Sequence, residues 1–595
     1  MTFEKKTRLL VIFFGMFFLA TLSRLFYWQI VKGEDLTAQA DSQHHFTLSV
    51  PAARGDLLFS DQKPLVVNKE AFLLYANLPK IDRPKKEVAD QLATILAGEI
   101  PLIATPGAQQ LSPPEHEARI EANKLALSQK IEDKLNLPSA VWVNLAHFVN
   151  RDIRKKIDDL HLSGLDFASE ETRDYPESSM AAHTVGFVAS DQNGNPKGYF
   201  GLEGFYEREL AGRPGEVRIE KDAFGRPIAI GAEERREKQD GSSLVLTLDR
   251  SVQLFAERNL EKGVQDWKAA GGTAIVMDPN DGRILALANL PKYDPANFSY
   301  YETALYKNPA IANLYEPGSI LKPLVMAAAI SEGKVTPETR CDQRCNGPRE
   351  IGGLFIHTFN NQYHPNLTMT EVLVNSDNTG MVFVGETLGF DKFYSSVQKY
   401  GFGQKTGVDL PEEEEGSLRR KQDFYPVDKA TLTFGQGISV NALQMARAFS
   451  ALANGGHLVS PHLVSQIDAP TGPIAVAEKP GPQVISSIAA QTVTEMLIQV
   501  CEKSPTHFPR DRIPELFPYR IACKSGTAQI AVGGAYKEKG TTASVIGFFP
   551  ANKPKYLVYV KLVEPEVRPW GSDTAGPVFF AIVRDLVNYY GIAPN

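Results

Sequence analysis

The sequence predicts an α/β protein of more than one domain. Its C-terminal part should hold one antiparallel sheet between helical layers with an all-helical part, preceded by an elongated α+β module and one transmembrane helix. Three observations predict this. A chain of 595 residues exceeds what one core usually holds. Leu9–Ile30 is almost wholly apolar. From about residue 241, a strand, a helix and a hairpin are followed by a long helical stretch, further strands and a closing helix.

The N-terminal run is broken only by Thr21, Ser23, Arg24 and Gln29. As a helix its 22 residues span about 33 Å, enough for a bilayer core of roughly 30 Å. Lys5, Lys6 and Arg8 precede it, which places residues 1–8 in the cytoplasm, 9–30 in the membrane and the rest outside. Arg24 lies toward the outer end, where its head can snorkel to the interface. Ala38-Gln39-Ala40 has the form of a cleavage site but lies too far beyond the run, so a retained anchor is expected. A net charge of −7 without a dense basic stripe argues against nucleic acid as a partner.

Residues 31–240 read as an irregular non-catalytic module. Short strands such as His45–Val50 and Phe72–Ala76 mix with a helix near Lys124–Leu135, and Pro101–Pro114 reads as an exposed loop. Residues 241–595 form the second domain. Ser243–Leu248 is expected as a strand and Ser251–Ala269 as an amphipathic helix. Thr273–Asp278 and Arg283–Asn289 should pair around the turn Pro279-Asn280-Asp281-Gly282. Glu316 to about Ile498 reads as mostly helical. Strands return at Arg520–Cys523, Ser544–Phe549 and Leu557–Val563, and a last helix covers about Thr574–Tyr589. Gly401-Phe402-Gly403 is not a phosphate loop, because Lys405-Thr406-Gly407 follows at the wrong spacing.

The chemistry begins at Ser319-Ile320-Leu321-Lys322. A Ser and a Lys three residues apart on a helix share a face, so the amine can take the hydroxyl proton and make a serine nucleophile. Ser-x-x-Lys occurs four times, at Ser60, Ser319, Ser331 and Ser396. Only Ser319 follows a turn, Glu316-Pro317-Gly318, and leads an apolar helical run with Pro323 in its first turn. That places it at a helix N-terminus, where free N–H groups favour developing negative charge. Ser376-Asp377-Asn378 lies 57 residues on, and Lys524-Ser525-Gly526 another 148 beyond. Lys405-Thr406-Gly407 is a decoy for the third triplet, since it leads into a loop, whereas Lys524 follows a strand whose edge can align an extended peptide. Glu412–Glu415 and Arg419–Lys421 read as solvated loop charges.

Ser-x-x-Lys, Ser-x-Asn and Lys-(Ser/Thr)-Gly in this order are the motif set of the penicillin-binding and serine β-lactamase superfamily. The chain resembles a class B penicillin-binding protein, a peptidoglycan D,D-transpeptidase, most of all the septum-forming FtsI-like branch. Arg54-Gly55-Asp56, Tyr175-Pro176-Glu177, Ala181-Ala182-His183 and Gly201-Leu202-Glu203-Gly204 resemble the non-catalytic region of that class. The segments around Asp278–Ala288, Phe434-Gly435-Gln436-Gly437 and Lys524–Gln529 resemble its catalytic domain. No tandem extension of the kind some relatives carry is read after that domain. The resemblance implies a serine D,D-peptidase/β-lactamase-like fold. It also implies a non-catalytic pedestal for dimerisation or partner contact, and no metal or organic cofactor.

Acyl transfer needs a nucleophile, a base, an oxyanion site and a handle on the substrate. Ser319 is the expected nucleophile and Lys322 the base, its pKa lowered by Lys524. Ser376 would relay protons, and Asn378 would hold Lys322 and the substrate amide. The resemblance implies that Lys524, Ser525, Gly526 and Thr527 bind the donor's terminal carboxylate and that the N–H groups of Ser319 and Thr527 form the oxyanion hole. The implied donor is a peptidoglycan stem peptide ending in D-Ala-D-Ala, the implied inhibitors are β-lactams, and the implied partners are a multi-span glycosyltransferase of the shape, elongation, division and sporulation (SEDS) type and other division proteins. An elongation-type enzyme, a β-lactamase or carboxypeptidase, and a β-lactam sensor or inactive scaffold are the alternatives. The four cysteines allow a local Cys341–Cys345 disulfide, a zinc site with His357 and His364, or free thiols. Cys523 reads as a small strand residue packed inward.

Overall fold

The computed structural model describes residues 2–37, 45–97, 113–138, 140–191, 195–220, 233–358, 361–476, 481–503, 513–533 and 535–594. Ala38-Gln39-Ala40 and residues 101–112 of the expected Pro-rich loop lie outside them. Pro113 and Pro114, read as the end of that loop, instead begin the helix Pro113–Leu135, as prolines can in a first turn that has no N–H bonds to lose.

Two compact units divide the chain, residues 1–54 with 212–241, and residues 55–211 with 242–595. In the first, a helix runs from Phe3 to Phe26 and continues as a wider π turn, Tyr27–Val31. It therefore starts six residues before the expected Leu9, taking in the basic flank. The same unit holds a three-stranded antiparallel sheet in which Gly215–Glu220 lies between His45–Val50 and Glu233–Arg236.

The second unit contains two principal sheets. One runs in the order Gly472–Ala475, Val464–Ala469, Ser243–Leu246, Leu57–Leu58, Pro64–Asn77 and Trp142–Val149, with Leu165–Asp174 also paired to Pro64–Asn77. Its Val464–Ala475 hairpin falls inside the stretch read as mostly helical. Six residues of mixed polarity gave no clear period there, and pairing with Ser243–Leu246 fixes the strand. A buried guanidinium ties the early part of the unit together. Arg173 donates from Nε to Glu203 Oε1 (2.8 Å), from Nη1 to Asn68 Oδ1 (2.9 Å) and from Nη2 to the Gly55 carbonyl (2.6 Å). Two of the quoted segments, around Gly55 and Glu203, thus meet on one side chain.

The other sheet has five antiparallel strands in the order Ile284–Leu290, Gly271–Met277, Tyr556–Val563, Ala535–Phe549 and Ala522–Val532. Alternation is weak in its inner strands because both faces are covered, and all seven residues of Gly271–Met277 are buried. The helices Arg250–Trp267 and Ala575–Tyr590 cover one face. Asp249 caps the first by accepting from the Ser251 and Val252 amides, and the second seats Phe579 against the strand at Gly547. The helical part covers the other face, where Phe449 of Ala442–Ala453 meets Phe548 with ring centroids 6.1 Å apart. This is the expected layering, with Ala522–Val532 left at the edge.

Both cysteine pairs are bridged. Cys341–Cys345 is a local i to i+4 bridge, which removes the thiolates a zinc site would need. Cys523 does pack inward, but it is joined to Cys501, an i to i+22 link between the helix Ser487–Lys503 and the edge strand that spacing alone did not single out.

Candidate active site

Ser319 does not begin the α-helix itself. It sits in a 3₁₀ turn, Gly318–Leu321, that feeds the helix Lys322–Ser331. The tighter turn still leaves its amide outside the regular helical ladder. Two glycines set the turn in place. Gly318 N–H donates to the Gly435 carbonyl at 3.1 Å, and Gly435 has a φ of +83° with Gly318 O only 2.3 Å from where a Cβ would stand. Any side chain at 435 would push on the residue before Ser319. Glu316 completes the support by accepting from Gly437 N–H (2.8 Å) and Tyr536 Oη (3.0 Å).

Lys322 and Lys524 are both fully buried, 0% and 1% exposed. Ser376 stands between them. Lys322 Nζ reaches Ser376 Oγ at 3.2 Å, the Ser376 carbonyl at 2.5 Å and Asn378 Oδ1 at 2.7 Å. Lys524 Nζ reaches the same Ser376 Oγ at 3.0 Å and the Ser525 carbonyl at 2.9 Å. Ser376 adopts φ +52°, a left-handed conformation uncommon for serine. It does not cap the next helix: Asp377 accepts the Gly380 amide at 2.7 Å and caps Asn378–Leu388, leaving Ser376 and Asn378 free of that task. Among the described residues, Ser319 Oγ makes no hydrogen bond to Lys322.

Burial holds the Lys322 pKa well below the usual lysine value, and the neighbouring Lys524 cation lowers it further. Lys524 thus lowers it as expected, behind burial, which spacing alone did not show. Burial also brings Lys524 down to about 7. Burial and the neighbouring cation thus favour the neutral amine at Lys322.

The edge strand rests on the turn that carries Ser319. A Cβ on Gly526 would meet Ile320 Cγ2 at 3.0 Å and Ser544 Oγ at 2.8 Å, so only glycine lets strand and turn approach this closely. Thr527 Oγ accepts the Gly571 N–H at 3.0 Å, which leaves its own hydrogen available to an anion. Ser319, Asn378, Thr527 and Ala528 line one cleft of about 440 Å³, together with Phe355 and Phe434. Ser319, Lys322, Ser376, Asn378, Lys524 and the Ser525–Thr527 segment are thus brought together. Among the described residues, no cluster of His, Cys, Asp and Glu could hold a metal ion.

The decoys lie elsewhere. Ser331 Oγ accepts the Ser486 amide, and Ser396 Oγ donates to the Lys392 carbonyl. Lys405 is exposed, while Thr406 and Gly407 donate their amides to Glu413 at 2.7 and 3.1 Å. Glu413 is 5% exposed, so the reading of Glu412–Glu415 as solvated charges fails at that residue. Asp377, His357, Gly435 and Gly571 were not singled out as supports from sequence; only Asp377, as an Asp just before a helix, carried a readable local signal.

A family model for the penicillin binding protein transpeptidase domain matches residues 272–584, and one for the penicillin-binding protein dimerisation domain matches residues 49–246. The chain is 32% identical to Stage V sporulation protein D of Bacillus subtilis, over 99% of this chain and 87% of that protein. It is 28% identical to peptidoglycan D,D-transpeptidase FtsI of Escherichia coli K12, over 96% of this chain and 90% of that protein. A crystal structure of a peptidoglycan synthetase from Bifidobacterium adolescentis superposes with a TM-score of 0.70 at 25% identity, covering 93% of this chain and 98% of that one. With sequence, motif order and fold in agreement, the chain belongs to the penicillin-binding protein transpeptidase family.

Proposed function

We propose that this chain is a membrane-anchored peptidoglycan D,D-transpeptidase acting through a Ser319 acyl-enzyme. The observation that carries the reading is the meeting of two buried amines on one hydroxyl, Ser376 Oγ, in the site whose cleft Ser319 lines. Neutral Lys322 takes the Ser319 proton, and Oγ attacks the carbonyl carbon of the penultimate D-Ala. The N–H groups of Ser319 and Thr527 receive the oxyanion, each such donor being worth about 2.7–4 kcal/mol. Lys524 with Ser525, Gly526 and Thr527 binds the terminal carboxylate. The proton held on Lys322 passes through Ser376 to the departing amine, the C–N bond breaks, and D-Ala leaves. An amine of a neighbouring stem peptide then attacks the ester, returns a proton to Ser319 and forms the cross-link. β-Lactams enter by the same attack.

We divide the chain into a cytoplasmic tail (1–8), an anchor (9–30), a pedestal for dimerisation or partner binding (31–240) and the transpeptidase domain (241–595). The Phe3–Val31 helix, long and apolar enough to cross a membrane, supports the anchor. The basic flank supports a cytoplasmic N-terminus and an extracytoplasmic catalytic domain. Septal wall synthesis with a SEDS-type glycosyltransferase is the setting the FtsI-like resemblance supports.

The test supplies membranes containing the full chain, or its Ser319→Ala variant, with a stem peptide ending in D-Ala-D-Ala and an acceptor stem. Free D-Ala and cross-linked dimer should appear together, and only with the parent. Release of D-Ala without dimer would make the chain a carboxypeptidase, and rapid β-lactam turnover a β-lactamase.

A further inference from the structure

Among the described residues, the hairpin Arg349–Ile351/Leu354–Ile356 pairs only with itself. Its turn, Gly352-Gly353, has both φ values positive, +61° and +80°, the geometry of a tight two-residue hairpin turn. A lone two-stranded hairpin is marginal in water. This one carries Leu354 and Phe355, each 58% exposed, to the cleft wall. It must therefore be held by something outside itself.

Ala430 and Phe434 pack with Ile356 on one side, and the helix that begins at Asn378 holds the hairpin by polar contacts as well. Three of its residues, at i, i+4 and i+8, lie along one face and each engages a different point of the hairpin. Asn378 Nδ2 donates to the carbonyl of His357, the residue just after the second strand, at 2.9 Å. Val382 shares a small apolar core with Ile356. Glu386 accepts from Arg349 Nη2 at 2.6 Å, and Arg349 is the cross-strand partner of Ile356. Arg344 grips the other Glu386 oxygen at 2.8 Å and lies over the Phe383 ring at 4.5 Å.

The consequence reaches the base. The side-chain amide of Asn378 can face Lys322 with its oxygen or with its NH₂. The His357 carbonyl fixes the choice by accepting from Nδ2, which turns Oδ1 to Lys322 Nζ at 2.7 Å. We propose that Glu386 is a positioning residue for acylation: by clamping Arg349 it keeps the His357 carbonyl over Asn378 and so keeps Lys322 aimed. This rests on the roles proposed above for Asn378 and Lys322.

The test measures the second-order rate of acylation by a fluorescent penicillin, using the full chain in detergent. Glu386→Ala should slow acylation about 10- to 10²-fold, the scale expected when a remote change displaces a reacting group by about 1 Å. Its melting temperature should stay within about 2 °C, because partly exposed ion pairs add little global stability. Glu386→Asp should recover part of the rate. Arg349→Gln, which leaves the helix untouched, should reproduce the loss and serves if Glu386→Ala folds poorly. In an Asn378→Ala background, Glu386→Ala should add less than about a twofold further change, since both act through one group. The proposal is overturned if Glu386→Ala and Arg349→Gln acylate at the parent rate while Asn378→Ala is slow, or if the two losses multiply. Parent-rate acylation by Asn378→Ala would instead overturn the role of Asn378, and the positioning role with it.

Discussion

Ser376 Oγ accepts a hydrogen bond from Lys524 Nζ at 3.0 Å, and Lys322 Nζ stands 3.2 Å from the same oxygen. A hydroxyl has one hydrogen to give. With Lys524 as the donor on one side, that hydrogen can point to the lone pair of neutral Lys322 on the other. A charged Lys524 beside a neutral Lys322 is thus compatible with the hydrogen bonds at Ser376.

Acylation should therefore depend on pH from both sides. The rate rises as Lys322 loses its proton, below the ordinary lysine range, and falls as Lys524 loses its own near 7. The second-order rate constant reports both groups in the free enzyme. Lys524→Arg should move the alkaline limb upward, because a guanidinium stays charged across that range. An alkaline limb unmoved by this substitution would assign it to another group.

Lys322→Ala should slow acylation by about 10²–10⁴-fold, the usual contribution of a general base. The variant should keep its circular dichroism spectrum, because removing a buried amine also removes its desolvation cost. Stopped-flow or gel-based penicillin labelling measures the loss; a change under about threefold would contradict the role of base.

Lys561 offers a stability prediction separate from catalysis. It is 3% exposed, lies over the Tyr315 ring at 4.7 Å, and has its pKa lowered by burial to about 8. The unfolded chain holds the proton up to the ordinary value near 10.5, so the buried lysine destabilises fully below pH 8 and progressively less from 8 to 10.5. Lys561→Met should raise stability at pH 7 by about 2 kcal/mol, allowing for the lost cation–π contact. Denaturant titrations at pH 7 and 10 check the sign. A gain at pH 10 equal to that at pH 7 would refute it.

The decoy triplet gives a contrast within one loop. Lys405→Ala should leave penicillin acylation unchanged, while Glu413→Ala should cost roughly 1–3 kcal/mol by stranding the buried Thr406 amide. Thermal melts of both variants separate the two effects. A large acylation loss at Lys405 with none at Lys524 would reverse the motif assignment.

Ser319, Lys322, Ser376, Asn378 and Lys524 could be grouped from sequence because each is tied to a local signal: a turn, a helix start or a strand. The sheet was legible from Thr273–Asn289 and from the returning strands for the same reason. What holds these residues was not. Gly435 against Gly318, Gly571 on Thr527 and His357 on Asn378 are contacts of backbone groups, which any sequence possesses. The Cys501–Cys523 bridge and the Val464–Ala475 hairpin depend on pairing between distant segments. Glu413 looked like one of four exposed acids because burial is decided by the fold around it.

The most direct measurement is the location of the covalent adduct. The full chain is incubated with a penicillin, digested and mapped by mass spectrometry. One adduct on the peptide containing Ser319 is predicted, absent from Ser319→Ala and present in Ser331→Ala and Ser396→Ala. An adduct on any other residue, or undiminished labelling of Ser319→Ala, would contradict the account.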